Sequence, residues 1–334
     1  MKAIVLISGG LDSVLAAKLI KDQGIEIIPL NFKIPFCHRD KELTPEKQNN
    51  LKQAADNLGM DLKIVDISDD FLKMLENPEY GFGSNMNPCI DCKILMLAKA
   101  RDLMGEFGAA FVITGEVLGQ RPMSQHRQAL EIIEKKSGLD GLVLRPLSAK
   151  LLTETTPEKQ GWIDRNKLLG FNGRQRRPQM DLAKDLGIEK YPNAAGGCLL
   201  TDPGFSERIR DLVSHQALNI DNIKLLKIGR HFRLSVDAKL VVGRDEKENE
   251  ELASLAREGD YLFLPNEKLA GPTSLGRGKF SQELIKFSCG ITCRYCDLDA
   301  GKEAEIIYKK IPQKEDNRLK VTPVEDKGLT VLRI

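Results

Sequence analysis

The sequence predicts an α/β fold, a parallel sheet with helices on both faces, followed by a small α+β domain. Three observations carry this. The apolar run Ala3-Ile4-Val5-Leu6-Ile7 ends in the turn Ser8-Gly9-Gly10, and Val14, Leu15, Ala17 and Leu19 then recur at helical spacing. Strand-like and helix-like segments alternate from there to residue 144, which implies parallel strands joined by helical crossovers. Beyond Gly229 the alternation gives way to short β-like runs and many turns. A length of 334 residues suits one large or two modest domains, and 41% apolar with 29% charged residues is ordinary globular composition.

Each element has its own signal. Gly24 closes the first helix, and residues 25–30 read as the second strand. Thr44 and Pro45 suit the N-cap and first position of a helix through Leu51, Ala54, Ala55 and Leu58, closed by Gly59. Residues 62–67 follow as a strand, and a helix begins near Asp91 with Ile94, Leu95, Leu97, Ala98 and Leu103. Ala110-Phe111-Val112-Ile113-Thr114 and Leu142-Val143-Leu144 are further short apolar runs. Pro157 opens another helix, and residues 180–186, 205–213 and 221–228 read as helical. Asn193-Ala194-Ala195-Gly196-Gly197-Cys198 has no periodicity and reads as loop. Residues 232–236, 239–242, 261–264 and 329–334 are β-like, and the boundary is expected near residue 215, giving domains 1–215 and 216–334.

A formal net charge of +2 excludes a uniformly basic nucleic-acid coat, though it leaves room for local basic patches. No apolar stretch approaches the length that spans a bilayer, so no membrane partner is expected. The first residues carry one lysine and no small-residue cleavage site, so the expected location is the cytoplasm. Seven cysteines in a reducing compartment point to metal ligands or reactive thiols rather than disulfides. Nothing in the sequence sets an oligomeric state.

The turn after the first strand is a place for phosphate. Its backbone amides and those of the following helical turn point outward, Ser8 and Ser13 add hydroxyl donors, and Asp12 can hold Mg²⁺ against phosphate oxygens. A glycine turn capped by Asp and Ser also occurs as plain structure at strand ends. No Lys-Ser/Thr follows the glycines, so this is not a GxxxxGK[ST] loop. Ser8-Gly9-Gly10-Leu11-Asp12-Ser13 instead resembles the PP-loop of ATP pyrophosphatases, an adenine nucleotide alpha hydrolase-like fold. That resemblance implies cleavage of ATP between its α- and β-phosphates, with adenylation of a substrate.

Three further segments narrow the resemblance. Thr114-Gly115-Glu116-Val117-Leu118-Gly119-Gln120, then Ser124-Gln125, then Leu144-Arg145-Pro146-Leu147 resemble the TGE-LGQ, SQ and LRPL pattern of tRNA 4-thiouridine synthetases, over about residues 1–200. The resemblance implies an ATP pocket lined by Gly115, Glu116 and Gln120 and, by position, Arg145. By itself, Thr114-Gly115-Glu116 reads as a capped helix N-terminus. No RNA-binding domain precedes this segment and no rhodanese-like carrier follows it, so an external sulfur donor, a cysteine desulfurase or free sulfide, is expected. Gly229-Arg230-His231-Phe232-Arg233 and Leu240-Val241-Val242-Gly243-Arg244 resemble an RNA-binding module of the NFACT type.

Thiolating a base needs an activated carbonyl oxygen and a sulfur nucleophile. Cys89 and Cys92 form a CxxC after Pro88, at a helix start where amide dipoles lower a thiol pKa, and Cys198 sits in a Gly-Gly loop. Two designs stay open: a cysteine persulfide resolved by a second cysteine, or a [4Fe–4S] cluster on Cys89, Cys92 and Cys198, which the third cysteine favours. A structural zinc half-site with a buried Cys198 is the plain alternative. Cys289, Cys293 and Cys296 have Cx₃CxxC spacing, yet only 38 residues follow, too few for a radical SAM barrel. They suggest a second metal site, zinc or a cluster, or a set of reduced thiols. Cys37, beside His38, reads as a loop thiol.

A tRNA substrate requires phosphate contacts, expected at Arg174, Arg176 and Arg177 with Lys184, and at Arg230 and Arg233 with Phe232 as a stacking ring. Solvated charged faces are the plain alternative for each group. The expected function is ATP-dependent tRNA thiolation giving 4-thiouridine. A 2-thiouridylase, a PP-loop ligase or amidotransferase acting on a small molecule, and an RNA-binding adaptor with a degenerate nucleotide site are the alternatives.

Overall fold

The computed structural model describes residues 1–36, 51, 54, 56, 58–188, 191, 198–299 and 301–334. Cys37, His38, most of the helix expected from Thr44, and residues 193–197 of the Gly-Gly loop lie outside the described residues. The chain forms two compact units, Met1–Thr201 and Asp202–Ile334.

In the first unit, β1 (Lys2–Leu6), β2 (Glu26–Lys33), β3 (Lys63–Asp66), β4 (Phe111–Thr114) and β5 (Val143–Leu144) form a parallel sheet in the order β3-β2-β1-β4-β5. Ile4 of β1 stands opposite Ile28 on one side and Val112 on the other. Because side chains alternate along a strand, Ala3 and Val5 join one core while Ile4 joins a second on the opposite face. The first core is closed by Val14, Leu15, Ala17 and Ile20 of α1 (Leu11–Lys21), the second by Leu97 and Ala100 of a 19-residue helix at Cys89–Phe107 and by Ile133 of the helix Arg127–Ser137. With α2 assigned to Ser68–Glu76, these last two helices are α3 and α4. Short α5 (Thr156–Lys159) and α6 (Arg177–Asp185) complete the labelled helices.

The strand order matters for function. The chain runs outward from β1 to β2 and β3, then crosses back to β4 on the other side of β1. That reversal opens a crevice at the carboxyl ends of β1 and β4, the place where open α/β sheets bind ligands.

The second unit begins at α7 (Pro203–Ser214), whose N-cap Asp202 accepts from the Phe205 amide at 2.7 Å. The boundary therefore lies before α7 and not near residue 215. The reason is bonding: Arg208 on α7 donates to the Leu226 carbonyl at 2.8 Å, and Asp211 is chelated by Arg233. After α8 (Ile220–Leu226) come β6 (Arg230–Ser235), β7 (Ala238–Val242), α9 (Glu246–Ser254), β8 (Tyr261–Pro265), β9 (Ser274–Gly278), α10 (Gln282–Arg294), β10 (Ala304–Lys310), β11 (Asn317–Val321) and α11 (Asp326–Thr330). The sheet is antiparallel in the order β11-β10-β8-β9-β7-β6. Residues 326–330, expected to be partly β-like, are helical and place Leu329 in the core.

Two expectations for this unit are corrected. Phe232 points inward on β6, is 0% exposed and packs with Leu240, Phe263 and Ile306, so it offers no ring to a base. Cys289 and Cys293 lie one turn apart on the buried stripe of α10, each 0% exposed. Their spacing is that of a helix face against a sheet. Burial pushes the Cys289 and Cys296 thiols up to about 12, and Cys293 and Cys296 bond to the Val321 and Thr292 carbonyls at 3.7 and 3.4 Å. Among the described residues no three His, Cys, Asp or Glu side chains form a group that could hold a metal ion, so the second metal site is withdrawn.

Candidate nucleotide and thiol site

The loop after β1 is held from within. Ser13 Oγ donates to the Gly10 carbonyl at 2.8 Å and accepts from the Ser8 amide at 3.3 Å, and the Gly10 amide donates to Ser8 Oγ at 3.3 Å. Gly9 sits at φ +72°, the left-handed region open to glycine. Asn31, which the sequence did not single out, anchors the strand end by donating to the Ile7 carbonyl at 2.7 Å. Gly10 caps α1 without a side chain, so the first-turn amides have no capping group and face the crevice as donors for an anion.

Gly115, at the end of β4, touches this loop directly. A Cβ placed there would lie 2.5 Å from the Asp12 carbonyl carbon and the Ser13 nitrogen, both backbone atoms. Gly115→Ala must therefore displace the loop, an overpacking cost of about 1–3 kcal/mol. We expect it to raise the ATP dissociation constant about tenfold, measured by calorimetric titration, with the thermal transition still cooperative.

Asp12 is half-buried, and Gln120 Nε2 donates to its Oδ2 at 3.0 Å. Its Oδ1 is buried without a hydrogen-bond partner. Burial pushes the Asp12 carboxyl above the usual carboxylate range, while Gln120, Arg176 and Arg121 pull it back down. An unpartnered carboxylate oxygen beside open helix amides fits a cation carried in with phosphate, as Mg²⁺ is when it is bound through one carboxylate and substrate oxygens. The charge of Arg176, which the sequence suggested as an RNA contact, is felt at Asp12. Arg121 was missed, and its place directly after Gln120 was the only signal.

Glu116 and Arg145 are buried in one group of ion pairs. Arg145, 3% exposed, donates from Nε to Glu116 Oε2 at 3.1 Å and pairs with Glu134 through Nη1. Lys93 Nζ lies 3.3 Å from Glu116 Oε1, and Thr114 Oγ1 donates to Oε2 at 3.1 Å. These residues support the turn carrying Gly115 and Gln120 from beneath. Burial works against the charge of Glu116, but Lys93, Arg145 and Thr114 outweigh it and hold the carboxyl down to about 2. Because the folded value lies below the usual 4.5, the stabilisation is present above pH 4.5 and is lost as pH falls toward 2. Breaking a buried pair costs about 3–5 kcal/mol. Glu116→Gln is expected to lower Tm at pH 7 and to flatten the acid limb of the Tm–pH curve over that window.

Two thiols stand at the start of α3 and the third lies near the end of the unit. Asp91 accepts from the Glu79 and Tyr80 amides at 2.8 and 3.1 Å, fixing the chain ahead of α3. Asn85 Nδ2 donates to the Thr201 carbonyl at 2.8 Å, and the Met86 amide to the Leu200 carbonyl at 3.1 Å. These bonds, with Leu199 N–H to the Phe36 carbonyl at 3.0 Å, dock the segment carrying Cys198 beside the start of α3. Cys89 Sγ donates to buried Ser124 Oγ at 3.0 Å, and Cys198 Sγ lies 3.7 Å from the Phe36 carbonyl. The Cys92 thiol is pushed far up by burial and further by the charges of Cys89 and Cys198, with Lys93 and Arg121 opposing. The lowering expected at a helix start is therefore reversed for Cys92: desolvation outweighs the dipole.

Cys89 is bonded to Ser124, Cys198 lies by the Phe36 carbonyl, and among the described residues no group of three His, Cys, Asp or Glu side chains could hold a metal ion. The side chains as arranged do not make a [4Fe–4S] ligand set. They do make a group of mutually interacting thiols, and the segment from Gln120 to Ser124 is bonded to Asp12 at one end and to Cys89 at the other. Of the expected RNA contacts in this unit, Arg174 and Arg177 are exposed, Arg177 only loosely paired to Asp181 at 3.9 Å. In the second unit Arg230 stacks over the Tyr295 ring at 4.7 Å and donates to the Gly243 carbonyl, while Arg233 is engaged with Asp211 at 2.6 and 2.8 Å. Neither is a free surface cation.

Residues 1–150 match the family model described as thiamine biosynthesis protein (ThiI), and residues 229–331 match that of the NFACT protein RNA-binding domain. A probable tRNA sulfurtransferase of Thermococcus kodakarensis is 30% identical over 148 residues, 44% of this chain and 36% of that protein. A tRNA-specific 2-thiouridylase MnmA of Pelobacter propionicus is 34% identical over 121 residues, 34% of this chain and 33% of that protein. The chain thus spans about a third of the length of these two relatives. A solved 4-thiouridine synthetase–RNA complex with bound ATP overlaps with a TM-score of 0.39 at 21% identity, over 68% of this chain and 52% of that one.

Proposed function

We propose that this chain, in which a ThiI-type domain is joined to an NFACT-type RNA-binding domain, is an ATP-dependent tRNA sulfurtransferase that makes 4-thiouridine in cytoplasmic tRNA. The observation that carries the reading is the segment from Gln120 to Ser124, whose first residue bonds Asp12 and whose last bonds Cys89, so that one short stretch of chain joins an ATP-type loop to a group of thiols. A ligase acting on a small molecule would leave those thiols without employment.

In this reading the loop amides, Ser8, Gly9, Gly10 and Ser13 receive the ATP phosphates, and Asp12 holds Mg²⁺, which would neutralise charge on the departing pyrophosphate. The uridine carbonyl oxygen attacks the α-phosphorus, pyrophosphate leaves, and the base becomes an adenylate ester. A persulfide on Cys198 then attacks the activated ring carbon with its terminal sulfur, and AMP leaves. The Cys92 thiolate attacks Cys198 Sγ and breaks the sulfur–sulfur bond, so its electron pair stays on the base as the thiocarbonyl. The resulting Cys92–Cys198 disulfide is reduced by an external dithiol before a cysteine desulfurase reloads Cys198. Alternatively hydrosulfide opens it, leaving a persulfide on Cys198 and a thiol on Cys92.

Mass spectrometry of nucleosides from tRNA of a strain lacking the gene tests the reading. Loss of 4-thiouridine is expected. Loss of 2-thiouridine instead would transfer the same chemistry to the other carbonyl, as the similarity to 2-thiouridylases allows. Unchanged thionucleosides would overturn the proposal.

A further inference from the structure

The second unit contains a cavity of about 230 Å³ between α7, α8 and the β6–β7–β9 face. Its charged lining is strongly one-sided. Arg233, Lys239, Arg257 and Arg277 face it, with His215, and the lining carboxylate Asp237 is itself paired to Lys279 at 3.2 Å. The partners of these cations, Asp211, Asp221 and Asp260, stand behind them and do not line the cavity.

The buried end holds an excess of positive charge. Arg233 and Lys239, 18% and 10% exposed, share the one carboxylate of Asp211 at 2.6 and 3.1 Å. Two desolvated cations on one anion leave one positive charge without its counter-ion, a costly arrangement unless something else neutralises it. Burial brings the Lys239 ammonium down to about 8 against the pull of Asp211, with Arg233 and Arg208 adding repulsion. The remaining wall is apolar, with Leu212, Leu225 and Val241, and Val236 is 75% exposed beside it.

We propose that this cavity is a binding site for a phosphate group. Lys239, with one bond from its ammonium to Asp211, and Arg257, held only loosely 3.7 Å from Asp221, have N–H donors for phosphate oxygens, the excess of one charge matches a phosphodiester, and the apolar wall suits the attached sugar. The group comes either from the RNA backbone, which deepens the function proposed above and rests on it, or from a free phosphorylated small molecule.

The test uses the full chain and two probes, inorganic phosphate and an unmodified tRNA transcript. Phosphate, against chloride at matched ionic strength, is expected to shift the side-chain Nε resonances of Arg233 and Arg277. The shift should weaken about tenfold in Lys239→Gln and in Arg257→Gln. Arg257, 46% exposed, keeps the test usable should Lys239→Gln fail to fold. If the RNA backbone is the source, tRNA displaces phosphate and both variants lose about one unit of salt slope in tRNA binding. If tRNA binding is unchanged while the phosphate shift is lost, the site serves a free phosphorylated molecule. Absence of any phosphate-dependent shift at Arg233 and Arg277, or equal shifts in wild type and variants, overturns the site. Because binding is read without thiolation, this result is independent of the thionucleoside experiment.

Discussion

Asp12→Asn is expected to lower ATP-dependent pyrophosphate release by at least about 100-fold, the scale of losing one preorganised charge contact in a transition state. The substitution keeps the shape and the Gln120 contact but removes the charge at the buried, unpartnered Oδ1. Stability should move the other way. Burial raises the Asp12 carboxyl above its usual 3.8, so the folded state binds the proton more tightly and ionisation costs stability at pH above that value. A neutral amide removes this cost, so Tm at pH 7 should stay level or rise. Pyrophosphate release by Asp12→Asn at the wild-type rate would remove Asp12 from the chemistry. A Tm lower by more than about 5 °C, the effect of roughly 1 kcal/mol in a modest domain, would instead show that the residue was needed for folding.

Cys198→Ser is expected to abolish formation of thiolated uridine in a single turnover, while ATP–pyrophosphate exchange in the presence of tRNA survives. A hydroxyl cannot carry a persulfide, yet it preserves the small side chain beside the Phe36 carbonyl. Cys92→Ser should behave differently. It leaves Cys198 able to attack, so a covalent link between enzyme and tRNA accumulates and is released by dithiothreitol, a species visible as a shifted band on a non-reducing gel. Cys89→Ser should lose only the contact to Ser124 and keep most activity. Full thiolation by Cys198→Ser would eliminate the thiol route altogether.

Much of this was readable along the chain, because the signals are local. The run at residues 3–7, the glycine turn and the helical spacing after it give strand, loop and helix without help from distant residues. The TGE-LGQ segment likewise needs only its own order to be placed at a strand end. In the second unit the Cx₃CxxC spacing misled because a metal motif and a helix face share i and i+4 periodicity, and only burial separates them. Phe232 misled for the mirror reason: alternation along β6 decides which neighbour faces out, and the sheet it packs on is assembled from strands far away in sequence.

By itself the sequence determined a parallel α/β unit with a phosphate-type loop at its first strand, a CxxC at a helix start and a β-rich second part. Tertiary structure alone decided how charges are used. It paired Glu116 with Arg145 in the interior, bonded Gln120 to Asp12 and Ser124 to Cys89, and set two cations on the single carboxylate of Asp211. The physical reason is range. Backbone preference and hydrophobic period act over a few residues, whereas desolvation and Coulomb interaction depend on which distant side chains share a low-dielectric space.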